Sequence, residues 1–264
     1  MPRFSANLSF LYQEHALPDR IDAAAADGFT GVEYMSPYES DIADLTRRLR
    51  AHRIEQVLIN LPMGDFAAGE RGFASDPSRV DEFKRGVAAA ATAARDLGCS
   101  RVNCLVGKAI PGVDPAAAHA TLVDNVRYAA TTLAEHGVQL VVEPLNRIET
   151  PGFLIGTSAE GLALIDEAAV PNVALQYDIY HAQRVEGNII ATLRAQIARI
   201  GHVQIADSPG RNEPGTGELA YERILPVLDE LGYGGWVGLE YKPSRATSDT
   251  FTWMHALRAH EVVS

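Results

Sequence analysis

The chain has 264 residues, of which 47% are hydrophobic and 22% charged, so it is long enough for one large domain with a sizeable core. Its formal net charge of −11 argues against nucleic acid or an anionic membrane as the main partner, although a bound cation would still allow an anionic substrate. With two cysteines, no signal peptide and no apolar run long enough to cross a bilayer, the chain is expected in the cytoplasm.

Short runs of β-branched and apolar residues alternate with longer amphipathic runs along the whole chain. The short runs predict eight strands, at residues 3–9, 31–35, 56–61, 101–105, 138–143, 173–178, 202–206 and 236–241. The longer runs predict helices at residues 17–27, 42–52, 77–97, 115–136, 158–168, 189–200 and 221–231. Four of these helices are followed by a glycine that can end them: Gly28, Gly98, Gly137 and Gly232.

This alternation of strand and helix predicts a parallel sheet. Eight such units in a chain of this length suit a closed barrel, so we predict an α/β fold with a single (β/α)8 TIM-barrel domain over residues 1–264. A doubly wound open sheet is the alternative, but it usually carries a glycine-rich phosphate turn after the first strand. The segment ANLSFLY after the start of that strand has none.

Polar residues lie at the carboxyl ends of the last four predicted strands, which are otherwise apolar. They are Glu143, Asp178, Gln204 and Glu240. Each alone is read most simply as a solvated strand end, but in a barrel the four converge on one place. Three neighbouring carboxylates would repel one another and take up protons unless a cation neutralised them, and carboxylate and amide oxygens suit a hard divalent ion. The sequence therefore predicts a Mg²⁺ or Mn²⁺ site with these four ligands.

Two histidines are tied by spacing to the predicted ligands. His181 follows Asp178 by three residues, and His202 precedes Gln204 by two, so both members of the second pair should point to the same side of their strand. Either histidine could contact a substrate oxygen or orient a ligand, although a lone histidine is more often structural. We expect a direct substrate contact for His181, and a deeper position for His202.

Charged residues in two long loops are further candidates for substrate binding. Arg211 lies in the loop after the seventh strand, where an arginine can hold a carboxylate through two hydrogen bonds. Glu70 and Arg71 lie in the GERG segment of the loop after the third strand. A plain surface position remains the alternative for all three. Glu33, on the second strand, is a further carboxylate that could support the site from behind.

Six longer segments carry a resemblance to a known family: NLPMGDFAAGERG, RVNCLVG, VEPLNRIETPGF, LQYDIYHAQRVEGN, GHVQIADSPGRNEPGTGEL and GWVGLEYKP. Together they resemble the hydroxypyruvate isomerase family of the xylose-isomerase-like β/α barrels, over nearly the whole chain. The resemblance implies that Glu143 and Glu240 transfer protons, while Asp178 and Gln204 complete the metal site. It implies more loosely that His181 and Arg211 contact the substrate.

The implied reaction is the interconversion of hydroxypyruvate and 2-hydroxy-3-oxopropanoate (tartronate semialdehyde), an aldose–ketose type isomerisation of glyoxylate and carbohydrate metabolism. It would run through a metal-stabilised enediolate, with two glutamates as proton donor and acceptor. The partner expected is a small anionic hydroxy or oxo acid, and assembly into a homo-oligomer is left open.

Three alternatives to this reaction remain. The family also contains isomerases of the four-carbon 2-oxo-tetronates, and the loop LNRIETPGF departs from the INTRDMPGF that relatives often carry. A metal-dependent hydrolase, such as an abasic-site endonuclease, shares the barrel type but generally needs more histidine ligands and a basic groove. A non-catalytic sugar-acid binding protein is the third alternative.

Overall fold

The computed structural model describes residues 2–254, so residue 1 and residues 255–264 of the predicted domain lie outside the described residues. Eight parallel strands form a closed barrel in sequence order, and the last strand pairs with the first. The strands are β1 (Arg3–Asn7), β2 (Gly31–Glu33), β3 (Glu55–Asn60), β4 (Arg101–Cys104), β5 (Gln139–Val142), β6 (Val173–Asp178), β7 (Ile200–Ile205) and β8 (Trp236–Leu239). The prediction of a (β/α)8 barrel is confirmed.

Helices connect successive strands on the outside of the barrel. They are α1 (Leu17–Ala26), α2 (Ile42–His52), α3 (Val80–Leu97), α4 (Pro115–Ala134), α5 (Ser158–Ala168), α6 (Ile179–Val185), α7 (Ile189–Gln196) and α8 (Tyr221–Glu230). Short 3₁₀ turns precede α3 at Pro77–Arg79 and follow α7 at Ile197–Arg199. None of the helices within residues 2–254 is long and apolar enough to span a membrane.

The helix ends follow the local chemistry read from the sequence. Gly98 ends α3 in the left-handed region at φ 69°, where a residue without a Cβ is unstrained. Thr157 begins α5 with a capping box: its side chain accepts a hydrogen bond from the backbone N–H of Glu160, and the Glu160 carboxylate accepts one from the backbone N–H of Thr157. These caps fix where the chain leaves each helix and so where the next strand begins.

One helix was absent from the sequence prediction. α6 follows β6 without a connecting loop, because Asp178 ends the strand and also caps the helix by accepting from the N–H of Tyr180 at 2.8 Å. The first four residues of α6 are buried, so this seven-residue helix has no amphipathic period to detect. Its effect is to place His181 on a rigid turn directly above the barrel.

The interior of the barrel is filled by side chains at its amino-terminal end. Val57, Val141, Ala174 and Trp236 come from β3, β5, β6 and β8 and form a cluster apart from the main core between strands and helices. Side chains from strands that are not neighbours can meet in this way only inside the barrel. The amino-terminal end is therefore a packed apolar plug, and the polar residues of the interior lie towards the opposite end.

Candidate active site

A cavity of about 700 Å³ opens at the carboxyl ends of the strands. Six of the predicted site residues line it: Arg71, Glu143, His181, Gln204, Arg211 and Glu240. Asp178 lies just behind this lining and contacts it through its side chain. The convergence follows from the fold, because the carboxyl ends of parallel strands meet at one face of a barrel.

The carboxylates form a buried group around one arginine. One ligand atom each from Glu143, Asp178 and His181 lies within 4.8 Å of the others. Arg211 connects the fourth member, because its Nη2 lies 3.6 Å from Asp178 Oδ2 and 3.4 Å from Glu240 Oε1. All three carboxylate side chains are almost fully buried.

Burial is the main influence on the charge of these carboxylates. It raises the pKa of Glu143, Asp178 and Glu240, since a charged group loses hydration inside the protein. The negative charge of Asp178 raises the pKa of Glu143 further, whereas Arg211 opposes the shift in all three. One arginine does not neutralise three carboxylates, so the group is short of positive charge.

The donor set fits a hard divalent cation. Asp178 Oδ2 and Glu240 Oε2 are buried acceptors that receive no hydrogen bond from the described residues. Such atoms are costly unless a cation or a donor meets them. Together with Glu143 and the amide oxygen of Gln204 they offer the oxygen ligands that Mg²⁺ and Mn²⁺ prefer. The residues therefore fit the metal site expected from the sequence.

Gln204 is held in one orientation by Glu33, which also lines the cavity. Its Nε2 donates to Glu33 Oε1 at 2.7 Å, and because a carboxylate only accepts, the amide nitrogen must face Glu33. The amide oxygen therefore points the other way, where Gln176 Nε2 donates to it at 2.6 Å. A Cβ at Gly238 would lie 2.3 Å from Glu33 Oε1, so β8 needs a glycine to make room for this carboxylate.

His202 lies below the cavity and does not line it. It is fully buried, and its Nε2 donates to Glu33 Oε2 at 2.9 Å, so His202 and Gln204 do point to the same side of β7. Burial alone would raise the pKa of Glu33, but the attraction of His202 and the hydrogen bonds from its neighbours outweigh it and lower that pKa. A substrate in the cavity would meet Glu33 before His202.

His181 faces the cavity from the first turn of α6. Burial, assisted by the positive charge of Arg211, holds its pKa well below the usual histidine range, so the ring is neutral at physiological pH. Its Nε2 lies 3.6 Å from Asp178 Oδ2, which is beyond hydrogen-bonding distance.

Arg211 is held in place by its own loop. Its backbone lies in the left-handed region at φ 56°, which costs a residue with a Cβ on the order of 1 kcal/mol. The guanidinium lies 4.9 Å from the ring of Phe10 and 5.0 Å from that of Tyr180. Its backbone carbonyl accepts a hydrogen bond from the N–H of Lys242 at 2.7 Å, which ties the loop to the end of β8.

The two candidates after β3 have separate positions. Arg71 lines the cavity and stacks on the ring of Phe66 at 3.6 Å. Glu70 does not line it. Its carboxylate pairs with Arg79 at 2.7 Å and accepts a hydrogen bond from the N–H of Asp65, so Glu70 closes the loop that presents Arg71.

Several cavity residues had no part in the sequence prediction. Gln176 lies two residues before Asp178 on β6, so the period of two in a strand could have found it. Asn103 on β4 does not line the cavity, but it donates to Glu143 Oε2 at 2.7 Å and so supports a site residue. Glu149 and Lys242 also line the cavity, but they lie in loops whose path follows no periodic pattern.

Comparison with known proteins identifies the family. The chain matches the family described as Xylose isomerase-like TIM barrel over residues 21–257. It is 48% identical to hydroxypyruvate isomerase of Escherichia coli (strain K12), with 98% of this chain and 100% of that protein aligned. The chain belongs to the hydroxypyruvate isomerase family. The prediction of an isomerase on a TIM barrel is thereby confirmed.

Two other proteins that are similar to this member of the hydroxypyruvate isomerase family are described by different activities. It is 43% identical to 2-oxo-tetronate isomerase of Cupriavidus necator, with 96% of this chain and 98% of that protein aligned. A crystal structure from Brucella melitensis described as AP endonuclease, family 2, is 41% identical, with a TM-score of 0.94 over 97% of this chain and 99% of that one. Family membership therefore leaves the substrate to be argued from the site.

Proposed function

We propose that the protein interconverts hydroxypyruvate and tartronate semialdehyde. The observation that carries the proposal is the pair Glu143 and Glu240, two buried carboxylates at the ends of β5 and β8 that line one cavity. Isomerisation needs one group to remove a proton and one to return it, whereas binding alone needs no such pair.

The proposed reaction moves protons and leaves the carbon skeleton unchanged. One glutamate removes a proton from C3 of hydroxypyruvate, next to the carbonyl, and the electron pair moves onto the C2 oxygen to give an enediolate. The other glutamate protonates C2, the proton of the C3 hydroxyl passes to the C2 oxygen, and C3 becomes the aldehyde carbon. The raised pKa of each carboxyl lowers the cost of carrying a proton near neutral pH.

Four residues would hold the metal: Glu143, Asp178, Gln204 and Glu240. A bound Mg²⁺ or Mn²⁺ would supply Lewis-acid stabilisation of the negative charge that develops on substrate oxygens. Arg211 and Arg71 are the proposed contacts of the substrate carboxylate, since both line the cavity and a guanidinium matches a carboxylate in shape and charge.

The experiment is deuterium exchange in the Glu143→Gln and Glu240→Gln variants, with Glu222→Gln on the outer surface of α8 as control. We expect each site variant to lose at least about a hundredfold in turnover, because a positioned acid or base contributes that much. The control should keep the wild-type rate. Near-normal turnover and exchange in both site variants would remove the two-carboxylate mechanism.

A four-carbon substrate is the second candidate. The cavity of about 700 Å³ is far larger than a three-carbon acid needs, and the Cupriavidus relative is named as a 2-oxo-tetronate isomerase. A side-by-side assay of hydroxypyruvate and four-carbon 2-oxo acids with Mg²⁺ and Mn²⁺ separates the two. A kcat/KM at least tenfold higher for the four-carbon acids would replace the first proposal by the second.

The hydrolase alternative follows from the description of the Brucella structure. Against it, the acidic metal-binding group found among residues 2–254 contains one histidine, and the net charge of −11 disfavours DNA. Several bound zinc ions together with cleavage of abasic DNA would overturn the isomerase proposal. Absence of solvent exchange with every short oxo acid would instead favour a binding protein.

The proposed setting is the cytoplasm, where the partner is the small anionic substrate and neither nucleic acid nor a membrane takes part. Both cysteines are free and buried, as a reducing compartment allows. Assembly into a homo-oligomer is measurable by light scattering of the purified chain.

A further inference from the structure

The Nδ1 nitrogen of the His181 ring receives two hydrogen bonds from one residue, Asn146. Asn146 lies in the loop after β5 and is fully buried. Its backbone N–H donates to His181 Nδ1 at 3.3 Å, and its side-chain Nδ2 lies 2.7 Å from the same atom. Asn146 thus contacts one ring nitrogen, Nδ1, while the other, Nε2, is the one that lies near Asp178.

The directions of these hydrogen bonds are fixed by chemistry. A backbone N–H can only donate, so Nδ1 must be an acceptor. In the side chain, Asn146 Oδ1 accepts from the backbone N–H of Glu149 at 2.9 Å, so the oxygen faces Glu149 and the amide nitrogen faces the ring. Both groups that meet Nδ1 are therefore donors.

An imidazole whose Nδ1 accepts hydrogen bonds carries no proton there. The ring is then neutral with its hydrogen on Nε2, the nitrogen on the side of the carboxylates. A protonated Nε2 has no lone pair to give to a metal ion. Proximity of His181 to Glu143 and Asp178 is therefore not enough to make it a ligand, although all three lie within 4.8 Å.

We propose that Asn146 is a positioning residue that locks His181 as the Nε2–H tautomer, which makes His181 a hydrogen-bond donor to a substrate oxygen and excludes it from the metal ligands. The part of this inference that concerns substrate rests on the proposed isomerase function. In that reaction the donor stabilises the negative charge on an enediolate oxygen, and the four residues named above, without His181, would hold a bound metal.

The first test is NMR of the protein with ¹⁵N-labelled histidine, recorded without substrate. The chain has eight histidines, and the His181→Gln variant assigns the signal by its loss. We expect the pattern of a neutral ring with the proton on Nε2, and no loss of that proton when Mg²⁺ is added. A proton on Nδ1, or a Nε2 signal that shows direct Mg²⁺ ligation, would overturn the inference.

The second test reverses the hydrogen bond in the Asn146→Asp variant. The introduced carboxylate can only accept, and the side chain lies nearer to Nδ1, at 2.7 Å, than the backbone N–H at 3.3 Å. We therefore expect the carboxylate to draw the ring proton to Nδ1 and kcat to fall about a hundredfold, with a smaller change in KM. Asn146→Ala keeps the backbone N–H, so it should keep the Nε2–H pattern. Asn172→Asp, a half-buried asparagine that bonds carbonyls near the start of β6, controls for the added charge and should keep wild-type kcat.

The two readouts separate the inference from the proposed function. If hydroxypyruvate proves not to be the substrate, the tautomer measured without substrate still tests the role of Asn146. If hydroxypyruvate turns over but the wild-type ring carries its proton on Nδ1, the inference fails and the isomerase proposal stands.

Discussion

At the scale of single residues, the site concentrates negative charge where hydration is lost. Asp178 uses Oδ1 to cap α6 and leaves Oδ2 without a hydrogen bond from the described residues, so one carboxylate serves both fold and site. Arg211 balances part of the charge through contacts of 3.4 and 3.6 Å. Removing this arginine would take away the guanidinium that lies against Asp178 and Glu240, and so leave buried carboxylates without that positive charge.

The role of Glu33 gives a prediction at this scale. It accepts hydrogen bonds from four donors on two strands, β1 and β7: Ser5, Asn7, His202 and Gln204. In Glu33→Gln an amide N–H₂ must face some of these donors, so Gln204 loses the partner that fixes its orientation. We expect Mn²⁺ affinity, measured by calorimetry, to fall about 10- to 100-fold, as for other groups that orient metal ligands.

The exposed variant Glu222→Gln serves as control for Glu33→Gln and should bind Mn²⁺ as the wild type does. Unchanged affinity in a folded Glu33→Gln protein would show that Glu33 does not act through Gln204.

The same scale shows which site residues could be predicted. Polar residues at the ends of otherwise apolar strands pointed to Glu143, Asp178, Gln204 and Glu240 because strand ends converge in a barrel. Asn146 could not be found in this way. Its importance depends on a loop that brings it to a histidine 35 positions later in the chain, and no local pattern encodes that meeting.

At the scale of elements, the loop between β7 and α8 is held by hydrogen bonds from its own backbone to one carboxylate. The carboxylate of Asp207 accepts from four backbone N–H groups, those of Ser208, Gly215, Gly217 and Leu219. Glu213 ties the same loop to the next one by accepting from the backbone N–H of Ser244 at 3.1 Å. The charged residues of the motif ADSPGRNEPGTGEL thus include two that shape the loop presenting Arg211.

Gly217 is the test of that loop. A Cβ there would lie 2.1 Å from the backbone oxygen of Ser208, so Gly217→Ala must push the loop apart. We expect kcat to fall about a hundredfold, because displacing a positioning group by about 1 Å has an effect of that size. Steady-state kinetics and a thermal melt measure the loss of activity and confirm that the barrel stays folded.

The matched control is Gly234→Ala, since a Cβ at Gly234 would meet nothing within 4 Å. Gly234 lies just before β8, at the end of the barrel away from the cavity. Equal kcat values in the two alanine variants would mean that catalysis does not depend on the close packing of the loop at Gly217.

At the scale of the whole molecule, the alternation of strand and helix was enough to predict the barrel, because each unit buries one strand under one helix. Element ends were less predictable. β5 ends at Val142, one residue before Glu143, and β7 begins at Ile200, because hydrogen bonding to neighbouring strands sets these limits. The packed amino-terminal end and open carboxyl end then decide where a site can form.

The last prediction concerns stability, pH and metal together. Because the pKa values of Glu143, Asp178 and Glu240 are raised, these three carboxyl groups hold more protons in the folded metal-free protein than in the unfolded chain, from about pH 4 up to the raised values. The free energy of unfolding must then fall as pH rises through the raised values. Glu33 has a lowered pKa, so its contribution to the free energy of unfolding is lost only as the pH falls into the acid range. The lowered pKa of His181 makes the free energy of unfolding depend on pH only below about pH 6.5, because above it the ring is neutral in both states.

Thermal melts between pH 7 and 8.5 therefore isolate the carboxylates. We expect the Tm of the metal-free protein to fall with rising pH, and to fall less in Glu240→Gln, which removes one titrating group. Each unit by which a pKa differs between the folded and unfolded states changes the free energy of unfolding by about 1.4 kcal/mol. Each kcal/mol changes the Tm of a chain of this size by roughly 2–4 °C. Mn²⁺ binds the deprotonated ligands, so it should raise Tm more at pH 8.5 than at pH 7. A metal-free Tm that rises across this range in wild type would mean that the three carboxylates do not share an uncompensated charge.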